Sequence, residues 1–222
     1  MSKSLGNSLT IRDALKMYNY EVLKYVMHSK HYSSDMDILD SDYTLAESHT
    51  YYFYNTIKKM QEFIKQYSGN ENGEILEDET VTTIKEKFIE AMDDDFNTTA
   101  AIANLHIVFK YINNLIKTAK KDNCPKVANT LAKMWKDIAE VYGILGFFKQ
   151  EPKKFIEEMK EKYLKKINME KVFIEEKIAE RKEAKASKNY ELADSIRAKL
   201  DEKGIILNDT VEGTTLDIKE LY

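Results

Sequence analysis

The sequence predicts a mainly α-helical protein, in which an antiparallel helix bundle precedes a small α+β module with a short β-hairpin. Glycine and proline are scarce, with 7 and 2 of the 222 residues, and this composition favours helices. Apolar residues recur at steps of three and four along most of the chain, which is the period of an amphipathic helix. Two short β-prone stretches near the C-terminal end predict one small hairpin there.

Three segments are predicted along the chain. Residues 1–40 hold an opening loop and two short helical segments, and residues 41–150 hold the helix bundle. The C-terminal module, residues 151–222, begins at Glu151-Pro152. Short connections between amphipathic helices are typical of bundles with antiparallel neighbours.

The first two helical segments are short. Thr10 is the predicted N-cap of the first, and Asp13 stands three residues later, where it completes a capping box. The second runs from Tyr20 through Met27 towards His31-Tyr32, and the polar segment from Ser33 to Asp42 reads as a connector.

Four longer helices are predicted for the bundle. They run from about Ser41 to Tyr67, through Val81 to Asp93, from about Thr98 to Lys121, and from Pro125 to a stop at Gly143. Proline is favoured at a first helical position, and glycine commonly follows the last.

The C-terminal module opens with a charged segment that reaches about Asn189. A short helix from Tyr190 to Leu200 follows, and Gly204 is a good residue to end it. The β-prone stretches 205–207 and 214–218 flank a turn that contains Glu212-Gly213, so they predict the hairpin.

Charge and composition limit the class of protein. The net charge is −4, but Glu71 to Asp95 holds ten acidic and two basic residues, whereas Lys177 to Lys188 holds five basic and two acidic. This asymmetry permits RNA binding. No apolar run is long enough to cross a membrane, and the N-terminus lacks the apolar core of a signal peptide. The single cysteine, Cys124, excludes an internal disulfide and fits a reducing cytoplasm.

The sequence indicates no metal site and no nucleophile. The four histidines are scattered, without the close spacing on one helix face that zinc sites use. The triple aspartate Asp93-Asp94-Asp95 allows two interpretations, a metal site or capping with solvation. Adjacent helical side chains point in different directions, so capping and solvation are favoured.

The first seven residues, Met1-Ser2-Lys3-Ser4-Leu5-Gly6-Asn7, combine a lysine, two hydroxyl residues and a glycine. An ammonium and hydroxyl or backbone donors suit a loop that closes over phosphates. The run resembles the end of the "KMSKS" signature of class I aminoacyl-tRNA synthetases, which implies that Ser2, Lys3 and Ser4 contact ATP. Ala91 to Thr98 resembles a recurring signature of one such family, the cysteinyl-tRNA synthetases.

A basic helix face is predicted next to an aromatic residue. Arg181, Lys185 and Lys188 are spaced i, i+4 and i+7, and Tyr190 and Asp194 follow. Cations, a stacking ring and carboxylates are what reading unpaired bases requires. The alternative from the pattern alone is a solvated helix stabilised by Glu–Lys pairs.

The segment from Lys182 to Thr215 resembles the anticodon-binding module of the cysteinyl-tRNA synthetases. The resemblance implies that Lys185 donates to an anticodon base, that Tyr190 stacks on one, and that Asp194 and Asp209 accept from base amino or imino groups. Arg181 and Lys188 would support them. Leu216 stands where that family often has tryptophan.

The resemblance further implies that the parent enzyme activates cysteine with ATP and transfers it to tRNA(Cys). Its Rossmann domain, with the expected zinc ion, would lie upstream of Met1. We therefore expect this chain to begin inside the signature, to act as a monomer, to contain no catalytic residue and not to aminoacylate alone. A helical scaffold or adaptor without a tRNA role is the alternative.

Overall fold

The computed structural model describes residues 10–210 and 213–219. In chain order the elements are α1 (Ile11–Met17), α2 (Tyr20–His28), α3 (Asp40–Gln66), α4 (Glu79–Thr82), α5 (Ile84–Asp93), α6 (Thr98–Thr118), α7 (Cys124–Tyr142), α8 (Pro152–Lys166), α9 (Lys171–Ala186), α10 (Tyr190–Asp201), β1 (Ile205–Thr210) and β2 (Gly213–Ile218). The predicted fold class, mainly helical with one C-terminal hairpin, is confirmed.

The chain divides into two compact units, one that ends at Phe155 and one that begins at Ile156. Helices α1 and α2, which the sequence analysis set apart from the bundle, lie in the first unit together with α3 to α7. No helix of the described residues is long and apolar enough to span a lipid bilayer.

Helices α1 and α2 begin at side-chain caps. The predicted N-cap Thr10 accepts the backbone N–H of Asp13 at 3.2 Å, and its hydroxyl donates to the Asp13 carboxylate at 2.6 Å. Asn19 caps α2 by accepting the N–H of Glu21 at 2.8 Å. Helix α2 ends at His28 with Ser29 as its C-cap, before the predicted end at His31-Tyr32.

Helices α3, α5, α6 and α7 pack on one another and enclose the core of the first unit. Its largest fully buried side chains are Tyr51, Phe53, Tyr54, Ile57, Met60, Leu105, Phe109, Ile112, Leu131, Tyr142, Phe147 and Phe155. Such rows of aromatic and aliphatic residues at helical spacing form the core that the periodicity predicts.

The helix predicted through Val81 to Asp93 is two helices in the structure. Asp78 accepts the N–H of Thr80 at 2.8 Å and so begins α4. Thr83 leaves the helical conformation, with φ −103° and ψ 11°, and its hydroxyl donates to the carbonyl of Glu79 at 2.8 Å. This departure of the Thr83 backbone from helical dihedral angles separates α4 from α5.

The triple aspartate lies at the end of α5, where the chain reverses into α6. Asp95 and Phe96 both adopt a left-handed conformation, with φ of 52°. Asn97 caps α6 by accepting the N–H of Ala100 at 3.0 Å, and its amide donates to Asp94 at 3.1 Å. Asp95 accepts the hydroxyl of Tyr32 at 2.6 Å. These carboxylates therefore take part in capping and in a contact with the segment after α2.

In the second unit, α9 packs on α10, and α10 packs on the β-hairpin. The strands are antiparallel, with Ile205 opposite Ile218 and Asp209 opposite Thr214. Gly204 has a φ of 75° just after α10, which is the left-handed conformation that glycine adopts without strain. The unit buries Ile156, Met159, Tyr163, Leu164, Ile174, Ala184, Ala193, Ile196, Leu200, Ile205, Leu207 and Ile218.

Candidate nucleic-acid interface

The candidate site lies around the turn that joins α9 to α10. The N–H of Asn189 donates to the carbonyl of Ala184 at 2.8 Å, and the Asn189 side chain accepts the N–H of Leu192 at 3.2 Å. Asn189 therefore ends the turn and begins the next helix. Lys185 stands in the last turn of α9 and Tyr190 at the first position of α10, so both flank the same short turn.

Asp209 on β1 joins this helix pair to the hairpin. Its Oδ1 accepts Arg181 Nη1 and Thr214 Oγ1, both at 2.8 Å. Its Oδ2 accepts Arg181 Nη2 at 3.0 Å and Lys185 Nζ at 2.7 Å. The Arg181–Asp209 pair is thus bidentate, a geometry that fixes the plane of the carboxylate.

These donors control the protonation of the cluster. The hydrogen bonds from Arg181, then Lys185, then Thr214 hold the pKa of Asp209 well below its usual range. The Asp209 carboxylate raises the pKa of Arg181, and the charge of Asp194 adds to that effect. The carboxylate of Asp209 is therefore ionised throughout the physiological pH range.

Arg181, which the sequence predicted as a supporting member of a basic helix face, is buried in the structure. Ile174, Arg181 and Ala184 are the buried residues of α9, and Ile174 and Arg181 are two turns apart on one face. The side chain of Arg181 is 4% exposed, and its Nε has no hydrogen-bond acceptor in the described part of the chain. Arg181 is buried because its guanidinium pairs inward with Asp209 instead of facing solvent.

Lys188 also departs from the predicted face. Helix α9 ends at Ala186, and Lys188 lies in the turn with a φ of 62°. Its spacing of seven residues from Arg181 therefore does not place the two on one helix face. The sequence pattern failed here because the helix stops before the third basic residue.

Tyr190 and Asp194 are exposed residues of α10, and the Tyr190 side chain is 63% exposed. They are four residues apart and so lie on one helix face. The structure brings Arg181, Lys185 and Asp209 into direct contact. Tyr190 is not among the described residues that contact Asp209. Ser2, Lys3 and Ser4 lie outside the described residues.

Thr214 is a member of the cluster that the sequence analysis did not assign. The predicted hairpin did not reveal it, because a turn centred on Glu212-Gly213 would set Asp209 opposite Leu216, whereas the observed register sets Asp209 opposite Thr214. Opposite residues share one face of a sheet and lie within side-chain contact.

Among the residues that the structure describes, no three histidine, cysteine, aspartate or glutamate side chains group so as to hold a metal ion.

Comparison with known proteins identifies the family. The family described as DALR domain matches residues 87–149, and the family described as tRNA synthetases class I (C) catalytic domain matches residues 1–48. A cysteine–tRNA ligase of Geotalea daltonii is 34% identical over 99% of this chain and 46% of its own length. A cysteine–tRNA ligase of Hahella chejuensis is 38% identical over 97% of this chain and 42% of its own length.

The chain belongs to the cysteine–tRNA ligase family and corresponds to its C-terminal region. A chloroplastic/mitochondrial cysteine–tRNA ligase of Arabidopsis thaliana is also similar, at 31% identity over 97% of this chain and 39% of its own length. The chain spans less than half the length of these cysteine–tRNA ligases. The matches agree with the family resemblance of the sequence, and they give no support to the scaffold or adaptor alternative.

Proposed function

We propose that this chain is the tRNA-binding part of a cysteine–tRNA ligase, and that the unit beginning at Ile156 contacts the anticodon of tRNA(Cys). The observation that carries this proposal is the cluster of Arg181, Lys185 and Asp209 beside a turn that also presents Tyr190. The cluster is a fixed carboxylate with an exposed lysine, and Tyr190 is an exposed ring.

This combination suits a single-stranded loop of RNA. Unpaired bases stack on aromatic side chains and form hydrogen bonds along their edges with carboxylates and cations. In the proposal Tyr190 supplies the stacking surface, Asp194 and Asp209 accept from base amino or imino groups, and Lys185 contributes positive charge. In the same proposal Lys188, in the turn, meets the RNA backbone.

In the full-length enzyme we propose the reaction of the relatives named above, the attachment of cysteine to tRNA with consumption of ATP. The ATP contacts assigned to Ser2, Lys3 and Ser4 belong to this proposal. The zinc ion expected in the parent enzyme stays a prediction, and no residue of this chain is assigned to it. The monomeric state and the cytoplasmic location stay predictions.

The test is the affinity of the whole chain for two RNA hairpins, one with the anticodon stem-loop of tRNA(Cys) and one with a changed anticodon. We expect tighter binding of the first. Tyr190→Ala and Asp194→Asn are each expected to weaken it by about 1–3 kcal/mol. Phe173→Ala, which removes another partly exposed ring of the same unit, is the matched control and is expected to keep the anticodon preference. Equal affinity for both hairpins would contradict the proposal.

A further inference from the structure

The carboxylate of Asp209 has no free acceptor position. An ionised carboxylate offers about four lone-pair sites. Two donors reach each oxygen: Arg181 and Thr214 at Oδ1, and Arg181 and Lys185 at Oδ2. A base amino or imino group can therefore bind Asp209 only after one of these donors has left.

The donors differ in how easily they leave. The side chain of Arg181 is 4% exposed and that of Lys185 is 41% exposed, while Asp209 itself is 46% exposed. Ion pairs in contact with water are weak, whereas removing the partner of a buried cation leaves an uncompensated charge. The contact from Lys185 is consequently the exchangeable one, and the bidentate contact from Arg181 is retained.

Exchange at Lys185 also keeps the charges paired. Thr214 is a neutral donor on the strand opposite Asp209, so its departure would release no cation for the RNA. The ammonium of Lys185 lies at the end of a long flexible side chain in the last turn of α9. Once displaced, it can pair with a phosphate of the same ligand, a contact that does not depend on the identity of the base.

We propose that Arg181 is the positioning residue that holds the Asp209 carboxylate in place for a nucleotide base, and that the Lys185–Asp209 contact is a placeholder which the base displaces. This inference rests on the proposed function, and it assigns distinct tasks to two cations that the sequence pattern treats alike. Lys185 meets the RNA only after release, and Arg181 never meets it.

The experiment compares three variants of the whole chain on the two hairpins used above. Lys185→Met removes the placeholder and keeps the methylenes. Arg181→Lys keeps the positive charge and loses the two-pronged geometry. Asp209→Asn removes the acceptor, and Lys182→Met, at an exposed position of α9, is the control for the loss of one positive charge.

We expect Asp209→Asn and Arg181→Lys each to lower the ratio of the two affinities by about tenfold or more. Lys185→Met is expected to keep the wild-type ratio, as Lys182→Met does. A carboxyl carbon NMR titration of Asp209 gives a second readout in the absence of RNA. The pKa of Asp209 should rise more in Arg181→Lys than in Lys185→Met, which a purely structural role for Arg181 elsewhere in the unit would not produce.

Two results would overturn the inference alone. If Lys185→Met lost the preference as fully as Asp209→Asn, Lys185 would be contacting the base directly. If Arg181→Lys kept both the preference and the pKa of Asp209, Arg181 would not position the carboxylate. Equal binding of both hairpins by the wild-type chain would instead overturn the proposed function and the inference with it.

Discussion

Tyr54 donates its hydroxyl to the carboxylate of Glu21 at 2.7 Å in the interior of the first unit. Glu21 is 0% and Tyr54 1% exposed. The same carboxylate accepts the backbone N–H groups of Phe148 and Lys149, at 2.9 and 3.0 Å. The buried side chain of Glu21 therefore connects α2 to α3 and to the segment after α7 through hydrogen bonds.

Replacing Glu21 by glutamine is expected to destabilise the first unit. The amide of glutamine cannot accept from all these donors, so at least one buried N–H or O–H loses its partner. The expected loss is about 2–4 kcal/mol in the free energy of unfolding. Urea unfolding followed by the fluorescence of Trp135, the single tryptophan and part of this unit, measures it. Glu62→Gln, at an exposed position of α3, should be close to neutral, and an equal effect of both variants would refute the assignment.

The stability of the first unit is expected to fall as the pH drops from about 6.5 towards 4. The Tyr25 hydroxyl contacts His49 Nδ1 at 2.7 Å and His106 Nε2 at 2.9 Å. Burial lowers the pKa of His49, and burial together with the charge of His49 lowers the pKa of His106 to about 4. Unfolded histidines titrate near 6.5, so in this window the unfolded state binds more protons and gains stability.

The slope is at most about 1.4 kcal/mol per pH unit for each histidine, and smaller here because both imidazoles are partly exposed. Unfolding at pH 7 and pH 5 measures it. His106→Gln should flatten the dependence but not abolish it, since burial also lowers the pKa of His28. Tyr25→Phe is the control and should keep the dependence, because burial and not the hydroxyl is its cause. An unchanged slope in His106→Gln would refute this explanation.

Removing the charge of Asp209 is expected to destabilise the second unit, because Arg181 would remain buried without a full counter-charge. The loss should be about 1 kcal/mol, less than for an enclosed pair, since Asp209 is 46% exposed. Its lowered pKa means that this stability is present above about pH 4 and is lost as the pH falls further. Amide hydrogen exchange of β1 in Asp209→Asn measures the effect, and Asp194→Asn is the control with a smaller expected change.

Replacing Gly204 by alanine is expected to cost about 1–2 kcal/mol, because its φ of 75° disfavours any residue with a Cβ. An added Cβ would also collide with the hydroxyl of Tyr163. The double variant Gly204→Ala/Tyr163→Phe removes the collision and keeps the backbone strain. It should therefore recover part of the loss in hydrogen exchange of α10, and full recovery would show that the left-handed conformation carries no cost.

Local features of the sequence predicted the helices well. The period of apolar residues located α3, α6 and α7, and the predicted cap at Thr10 acts as its side-chain chemistry suggests. Apolar periodicity and capping bonds involve residues that are close together in the chain, so a short stretch of sequence is enough to reveal them. The split at Thr83 escaped prediction because it is a change of backbone dihedral angles at a single residue, which a continuous apolar pattern does not reveal.

The sequence by itself determined the helical character of the chain, the hairpin and its family. The tertiary structure alone decided that Arg181 faces inward, that Lys188 leaves the helix, and that Thr214 completes the cluster. The reason is that burial and ion pairing depend on where β1 lies against α9, and residues 28 positions apart, Arg181 and Asp209, meet only through folding. A spacing pattern shows which basic residues share a helix face. Only tertiary packing shows whether such a residue is buried or exposed.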